Sequence, residues 1–167
     1  VTVAEDGQVV ITIQATDPDN NPLRVVITQS TRNGALVVNP TNPMQVIYTP
    51  NTNYNGTDSF SYQVTDEVAN STTGTLSITV SSVNDRPILQ AITPQMVHED
   101  ETLQLTLQGS DVDGNPLTYS VSGAPFASIS GNLLSLSPVL GQAGAYTITV
   151  TVSDGPLTDT QSFSLEV

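Results

Sequence analysis

The chain repeats itself, and the repeat constrains the fold more than any other feature. Val3–Asp17 (VAEDGQVVITIQATD) is answered by Val97–Asp111 (VHEDETLQLTLQGSD), and Asp17–Leu23 (DPDNNPL) by Asp111–Leu117 (DVDGNPL), each 94 residues further on. Later, Tyr62–Asp66 (YQVTD) is answered by Val150–Asp154 (VTVSD) after only 88 residues, so the second copy is slightly shorter. Two copies of one unit fill the 167 residues, each of a size that can hold its own core. Their join falls at Val83-Asn84-Asp85-Arg86-Pro87, giving expected modules at 1–84 and 85–167.

Inside each copy the apolar period is two. Val9, Ile11, Ile13 and Ala15 alternate with Val10, Thr12, Gln14 and Thr16; Leu103, Leu105 and Leu107 alternate with Gln104, Thr106 and Gln108. Phe60-Ser61-Tyr62-Gln63-Val64 and Tyr146-Thr147-Ile148-Thr149-Val150-Thr151-Val152 do the same, as do Leu76, Ile78, Val80 and Phe163, Leu165, Val167. Such alternation belongs to strands with one buried and one wet face. No stretch carries a 3.6-residue period. Turn formers such as Asn20-Asn21-Pro22, Asn33-Gly34, Asn55-Gly56, Asp113-Gly114 and Asp154-Gly155-Pro156 separate the runs. About seven short strands per copy predict an all-β chain of two tandem immunoglobulin-like antiparallel β-sandwiches.

Charge narrows the function. Sixteen acids face three arginines and no lysine, for a formal net charge of −13. Such a chain repels phosphate, which excludes nucleic acid and docking on anionic lipid. The absence of Cys removes disulfides, thiolate zinc and thiol catalysis. A lone histidine, His98, leaves little for a histidine metal site or a catalytic triad. No apolar run approaches the roughly 20 residues of a membrane span. No leader-like segment precedes the first strand, so export is expected to be directed from elsewhere.

The acids flank the strands. Asp58 and Asp66 stand at the two ends of one predicted strand, roughly 27 Å apart at strand rise, and Glu5 and Asp17 at the two ends of another. Antiparallel pairing then groups Asp17, Asp19 and Asp66 at the upper pole of the first module. Glu5, Asp6 and Asp58 fall at its lower pole, beside the exit through Asn84 and Asp85. Asp111, Asp113, Asp154 and Asp159 fall at the upper pole of the second module. Glu5, Asp58, Asp85, Asp111, Asp113 and Asp154 are thus expected to gather at the join, with Asn84 and Asn115 supplying neutral oxygens. Crowded carboxylates without lysine point to calcium, which takes six to eight hard oxygens in flexible geometry; magnesium demands stricter octahedra. The competing explanation for each Asp taken singly is local turn chemistry.

Asp-x-Asp after one strand, Val-x-Asp closing a later one and the Asn-Asp-x-Pro join resemble the cadherin repeat. Tyr54-Asn55-Gly56-Thr57-Asp58-Ser59-Phe60-Ser61-Tyr62 is most similar to the cadherin-like tandem repeats of large bacterial surface adhesins. Leu117-Thr118-Tyr119-Ser120-Val121 and the Tyr146–Asp154 run also resemble the dystroglycan-type variant. The resemblance implies calcium clamped at the join by Glu5, Asp58, Asn84, Asp85, Asp111, Asp113, Asn115 and Asp154. Asp17, Asp19 and Asp66 would form half of a further site. Ser82 stands where animal cadherins carry an acid, and Pro87 comes one residue early, which implies fewer ions per junction. Gly141-Gln142-Ala143-Gly144 offers no acid at the place of Asp58.

The implied role is a non-catalytic, extracellular calcium-binding extender of a secreted or cell-surface protein. Its partners would be neighbouring repeats of its own chain and a cell-surface protein or polysaccharide, and the fragment itself would be a monomer. The alternative is a carbohydrate- or protein-binding module attached to a secreted enzyme, with Tyr48 and Tyr54 as candidate platforms. An enzyme is not expected, because the paired carboxylates crowd at module ends rather than across a cleft.

Overall fold

Alternating apolar and hydroxyl residues produce strands throughout and no helix forms. The structure, a computed structural model, describes residues 1–167 and divides them into two units, Val1–Val83 and Asn84–Val167.

The first module holds β1 (Thr2–Ala4), β2 (Val9–Thr12), β3 (Arg24–Gln29), β4 (Gly34–Val38), β5 (Gln45–Pro50), β6 (Gly56–Thr65) and β7 (Gly74–Ser81). They form two sheets, ordered β1-β7-β6-β3 and β2-β5-β4. All pairs are antiparallel except β1 with β7, which run parallel. Between the sheets lies a core centred on Val46, Tyr48, Phe60 and Ile78. Each such side chain contributes about 1.5–3 kcal/mol by leaving water.

The second module holds β8 (Ile88–Leu89), β9 (Gln95–Met96), β10 (Leu103–Thr106), β11 (Gly109–Ser110), β12 (Thr118–Ser122), β13 (Ala127–Ser130), β14 (Leu133–Leu136), β15 (Ala145–Ser153) and β16 (Thr158–Glu166). Its sheets β9-β16-β15-β12 and β10-β14-β13 repeat the first module's order, and a short β8-β11 pair is added. Leu134, Leu136, Ile148, Val150 and Val152 are fully buried at its centre. Both modules are immunoglobulin-like β-sandwiches, as the alternation predicts.

The stretch read as one strand from Glu5 to Asp17 is not one. Asp6 takes a left-handed φ of 57°, and Gly7 N–H donates to the Ala4 carbonyl at 3.1 Å. This turn carries the chain from the sheet of β1 to that of β2. Asp100, 94 residues on, has φ 64° and the equivalent bond, Glu101 N–H to the His98 carbonyl at 3.1 Å. Strand β2 then stops at Thr12, although Ile13 stays in the core and donates its N–H to the Met44 carbonyl.

Candidate functional site: an oxygen-rich head on the second module

Asp111, Asp113 and Asn115 lie in the turn between β11 and β12. Its shape is set by Gly114 at φ 74°, a left-handed position that costs glycine little. Asn115 N–H donates to Asp111 Oδ1 at 3.0 Å, closing an Asx-type turn. Asp154 follows β15 directly, and its Oδ1 accepts the Leu157 N–H at 2.7 Å. Asn84 and Asp85 enter just ahead of β8. Asp85 N–H donates to Asp113 Oδ2 at 2.7 Å, and Asn84 Nδ2 donates to Asp154 Oδ2 at 2.7 Å. Asn115 Nδ2 donates to Asn84 Oδ1 at 2.5 Å. Carboxylate oxygens of Asp85 and Asp113 lie within 4.8 Å of each other.

Six of the residues named from sequence therefore meet in one place: Asn84, Asp85, Asp111, Asp113, Asn115 and Asp154. Four are carboxylates and two are amides, so every available ligand atom is a hard oxygen once the amides turn. The donor set fits calcium and offers nothing to a soft metal. Asp111 Oδ2 is buried and has no hydrogen-bond partner. A buried carboxylate oxygen left without a partner is costly, and a cation removes that cost.

The first module carries the same turn. Asp17 Oδ1 accepts the N–H groups of Asp19 at 2.9 Å and Asn21 at 3.1 Å, with Asn20 at φ 58° in the position of Gly114. Asp66, after β6, accepts the N–H groups of Val68 at 2.9 Å and Ala69 at 2.7 Å. The Ala69 and Val68 amides hold its carboxyl below the usual range, and the Asn21 side chain adds to this. Asp17 and Asp66 line one cleft of about 210 Å³ with Leu23 and Val64. Asp19 is exposed and does not line it.

Glu5 and Asp58 belong to the first module. The Glu5 carboxylate accepts the Val83 N–H at 2.5 Å, tying the end of its own module to β1. Asp58 was expected ahead of its strand, at the pole. Strand β6 starts two residues earlier, at Gly56, and Asp58 is 8% exposed within it. Its Oδ1 accepts from Arg32 N–H at 3.1 Å and Ser59 N–H at 2.8 Å. Its Oδ2 accepts from Asn33 N–H at 2.9 Å and the Tyr48 hydroxyl at 3.1 Å. Burial pushes this carboxyl up, but the three amides and the phenol outweigh it and hold it below the usual range. Burial, then the bond to Asp58, push the Tyr48 phenol up. Asp58 is a clamp on the β3–β4 connection. The signal was present in the sequence, because Asp58 shares the parity of Phe60, Tyr62 and Val64, which face the core.

Asp159, grouped with the upper acids, faces inward on β16 and accepts the Leu89 N–H at 2.8 Å. Tyr48 is fully buried, and Tyr54 donates its hydroxyl to the Thr57 carbonyl at 2.7 Å. Tyr48 therefore offers no stacking face, and Tyr54 is half-buried against the core.

Among proteins of known sequence, Integrin beta-like protein B of Dictyostelium discoideum is 31% identical over 114 residues, 63% of this chain. Chitinase A of Pseudoalteromonas piscicida is 33% identical over 88 residues, 50% of this chain. The chain spans 6% and 11% of the lengths of these two relatives. Among solved structures, human protocadherin-24 EC1-2 aligns with 99% of this chain and 92% of its own at a TM-score of 0.64 and 14% identity. Human mucin-like protocadherin EC1-2 aligns with 99% and 93% at 0.56 and 20%. These likenesses concern the fold. Residues 1–79 and again 84–166 match the bacterial Ig domain family, and the chain belongs to it as two consecutive copies.

Proposed function

We propose that this chain is a non-catalytic, calcium-binding extender segment of a larger extracellular or cell-surface protein, of the kind strung through bacterial adhesins. The buried Asp111 Oδ2 without a partner, amid three further carboxylates and two amides, carries this reading. In the proposal Asn84, Asp85, Asp111, Asp113, Asn115 and Asp154 hold the ion, and Glu5 is the ligand that the resemblance assigns to the preceding module. Asp17 and Asp66 hold a second ion more weakly.

Mechanically, the ion replaces mutual repulsion of like charges by shared attraction, which stiffens the link to a neighbouring repeat. Extracellular calcium modules bind at about 10⁻⁴–10⁻³ M, so the site would fill outside a cell and empty within one. At a hundredfold excess over Kd the folded form gains about 2.7 kcal/mol.

Thermal melts in calcium-free, millimolar calcium and equal magnesium buffers test this. A calcium-selective rise of several degrees, lost in Asp111→Ala, is expected. Equal melting in all three buffers would leave the acids as turn formers. The alternative, a binding module carried by a secreted enzyme, draws support from the 33% identity to Chitinase A.

A further inference from the structure

A second feature lies in the first module and uses none of the acids proposed for calcium. Strand β3 ends at Gln29, which is paired with Ser61, so at Thr57–Ser59 the β3 side of β6 has no strand beside it, while the other side pairs with β7. The β3–β4 connection fills part of that space, and a polar cleft of about 400 Å³ remains. Gln29, Arg32, Asn33, Thr57, Ser59 and Ser77 line it, with Asp58 behind them.

The six side chains have no hydrogen bond or ion pair with protein; where Arg32, Asn33 and Ser59 bond to Asp58, they do so through backbone amides. Elsewhere the hydroxyl faces satisfy themselves, as in Ser61 with Thr75 at 3.1 Å, Thr149 with Ser162 at 3.0 Å and Thr151 with Thr160 at 3.3 Å. Arg24 pairs with Glu67 and Arg32 with no acid, so the Arg32 guanidinium is uncommitted in a protein of net charge −13.

The walls are also held. Asp58 pins the amides of Arg32 and Asn33, fixing the loop from which both side chains project. A cleft fixed before the ligand arrives loses less ordering entropy on binding. Its volume falls within the range of about 300–1,000 Å³ usual for small-molecule sites.

We propose that this cleft binds an acidic sugar unit, its hydroxyls meeting Gln29, Asn33, Thr57, Ser59 and Ser77 and its carboxylate or sulfate meeting Arg32. Three hydroxyls and two amides offer both donors and acceptors, as a polyol requires. Guanidinium offers two parallel N–H groups to an oxyanion. The charge of Asp58 behind the cleft is already met by three amides and a phenol. The lining holds no aromatic side chain, and the net charge of −13 opposes a long polyanion as it opposes nucleic acid, so a short acidic unit binds weakly through the local Arg32 charge.

The test is an amide NMR titration of the full chain in calcium-free buffer, which keeps it independent of the calcium reading. The probes are oligogalacturonate, sulfated dextran oligomers and uncharged dextran oligomers. Shifts confined to Gln29, Arg32, Asn33, Thr57–Ser59 and Ser77 are expected with at least one acidic probe, and which probe responds distinguishes carboxylate from sulfate. Arg32→Ala should weaken binding about tenfold or more. Its side chain is exposed and unbonded, so its melting temperature should stay that of the parent. Arg24→Ala should bind as the parent does, and Gln29→Ala should bind several-fold more weakly. No response to either acidic probe, an equal response to uncharged dextran, or unchanged binding by Arg32→Ala would overturn the proposal.

Discussion

Tyr48 on β5 donates its hydroxyl to Asp58 on β6 at 3.1 Å, joining the two sheets of the first module through a buried carboxylate. The same carboxylate takes three backbone amides, so it accepts four bonds where water would otherwise be needed. Asp58→Asn replaces one acceptor oxygen by an NH₂ facing N–H donors. A loss of about 2–4 kcal/mol is expected, read by chemical denaturation. Tyr48→Phe removes one bond to a charged group and should lose about 1.5–3 kcal/mol. Near-parent stability of Asp58→Asn would dismiss the clamp.

Acid should release this clamp. The Asp58 carboxyl is held below the usual range, so its contribution is complete above about pH 4, the ordinary carboxylate value. It is lost as pH falls through the lower folded value, because the unfolded chain binds the proton first. The stability difference between parent and Asp58→Asn should therefore be constant from pH 7 to about 5 and shrink below about 4. A difference that does not vary with pH would show that the charge contributes nothing.

Gly34 opens β4 against the Tyr48 ring. A Cβ there would stand 2.5 Å from Tyr48 Cε2 and 2.6 Å from the Thr49 carbonyl oxygen. Gly34→Ala should cost about 1–3 kcal/mol through overpacking. Because the ring that must move carries the Asp58 bond, Gly34→Ala with Tyr48→Phe should cost less than the sum of the two. Strict additivity in denaturant melts would separate the two effects.

Asp154 and Asp159 should part company under calcium titration. Asp154 belongs to the oxygen-rich head, whereas Asp159 holds the Leu89 amide. Asp154→Ala is expected to weaken calcium binding about tenfold or more by calorimetry. Asp159→Ala is expected to lose about 1–3 kcal/mol of stability and keep the affinity. The reverse pattern would put the ion elsewhere.

Each module should fold alone, since each has its own core. Residues 1–83 and 84–167, produced separately, are expected to melt cooperatively with dispersed amide spectra. A disordered spectrum for either would mean that its core depends on its neighbour.

The repeat and the period of two were enough for the class of fold, because alternation can bury only one face of a strand and two copies need two cores. The turn acids were equally readable: Asp111 and Asn115, like Asp17 and Asn21, are four apart, and the Asx turn that joins them is local. Distance across the chain was harder. Asn84 reaches Asp154, seventy residues away, through the folding of β15 back on the incoming chain, which only the approximate grouping of poles anticipated.

What sequence could not supply was where a strand begins and which way an acid at its start points. Asp58 has the composition context of a pole ligand, yet two residues of extra pairing, Gly56 with Val80 and Thr57 with Thr79, draw it between the sheets. A left-handed residue at Asp6 likewise splits an apparently continuous strand between two sheets. Alternation along one strand is a local property fixed by backbone geometry. The start of pairing depends on a partner strand distant in sequence, and so does the face an acid finds there. The sequence by itself determined two β-sandwiches with acid-rich turns. Tertiary pairing decided which acids gather in an oxygen-rich head, which clamp a core, and where a strand ends early enough to leave a cleft.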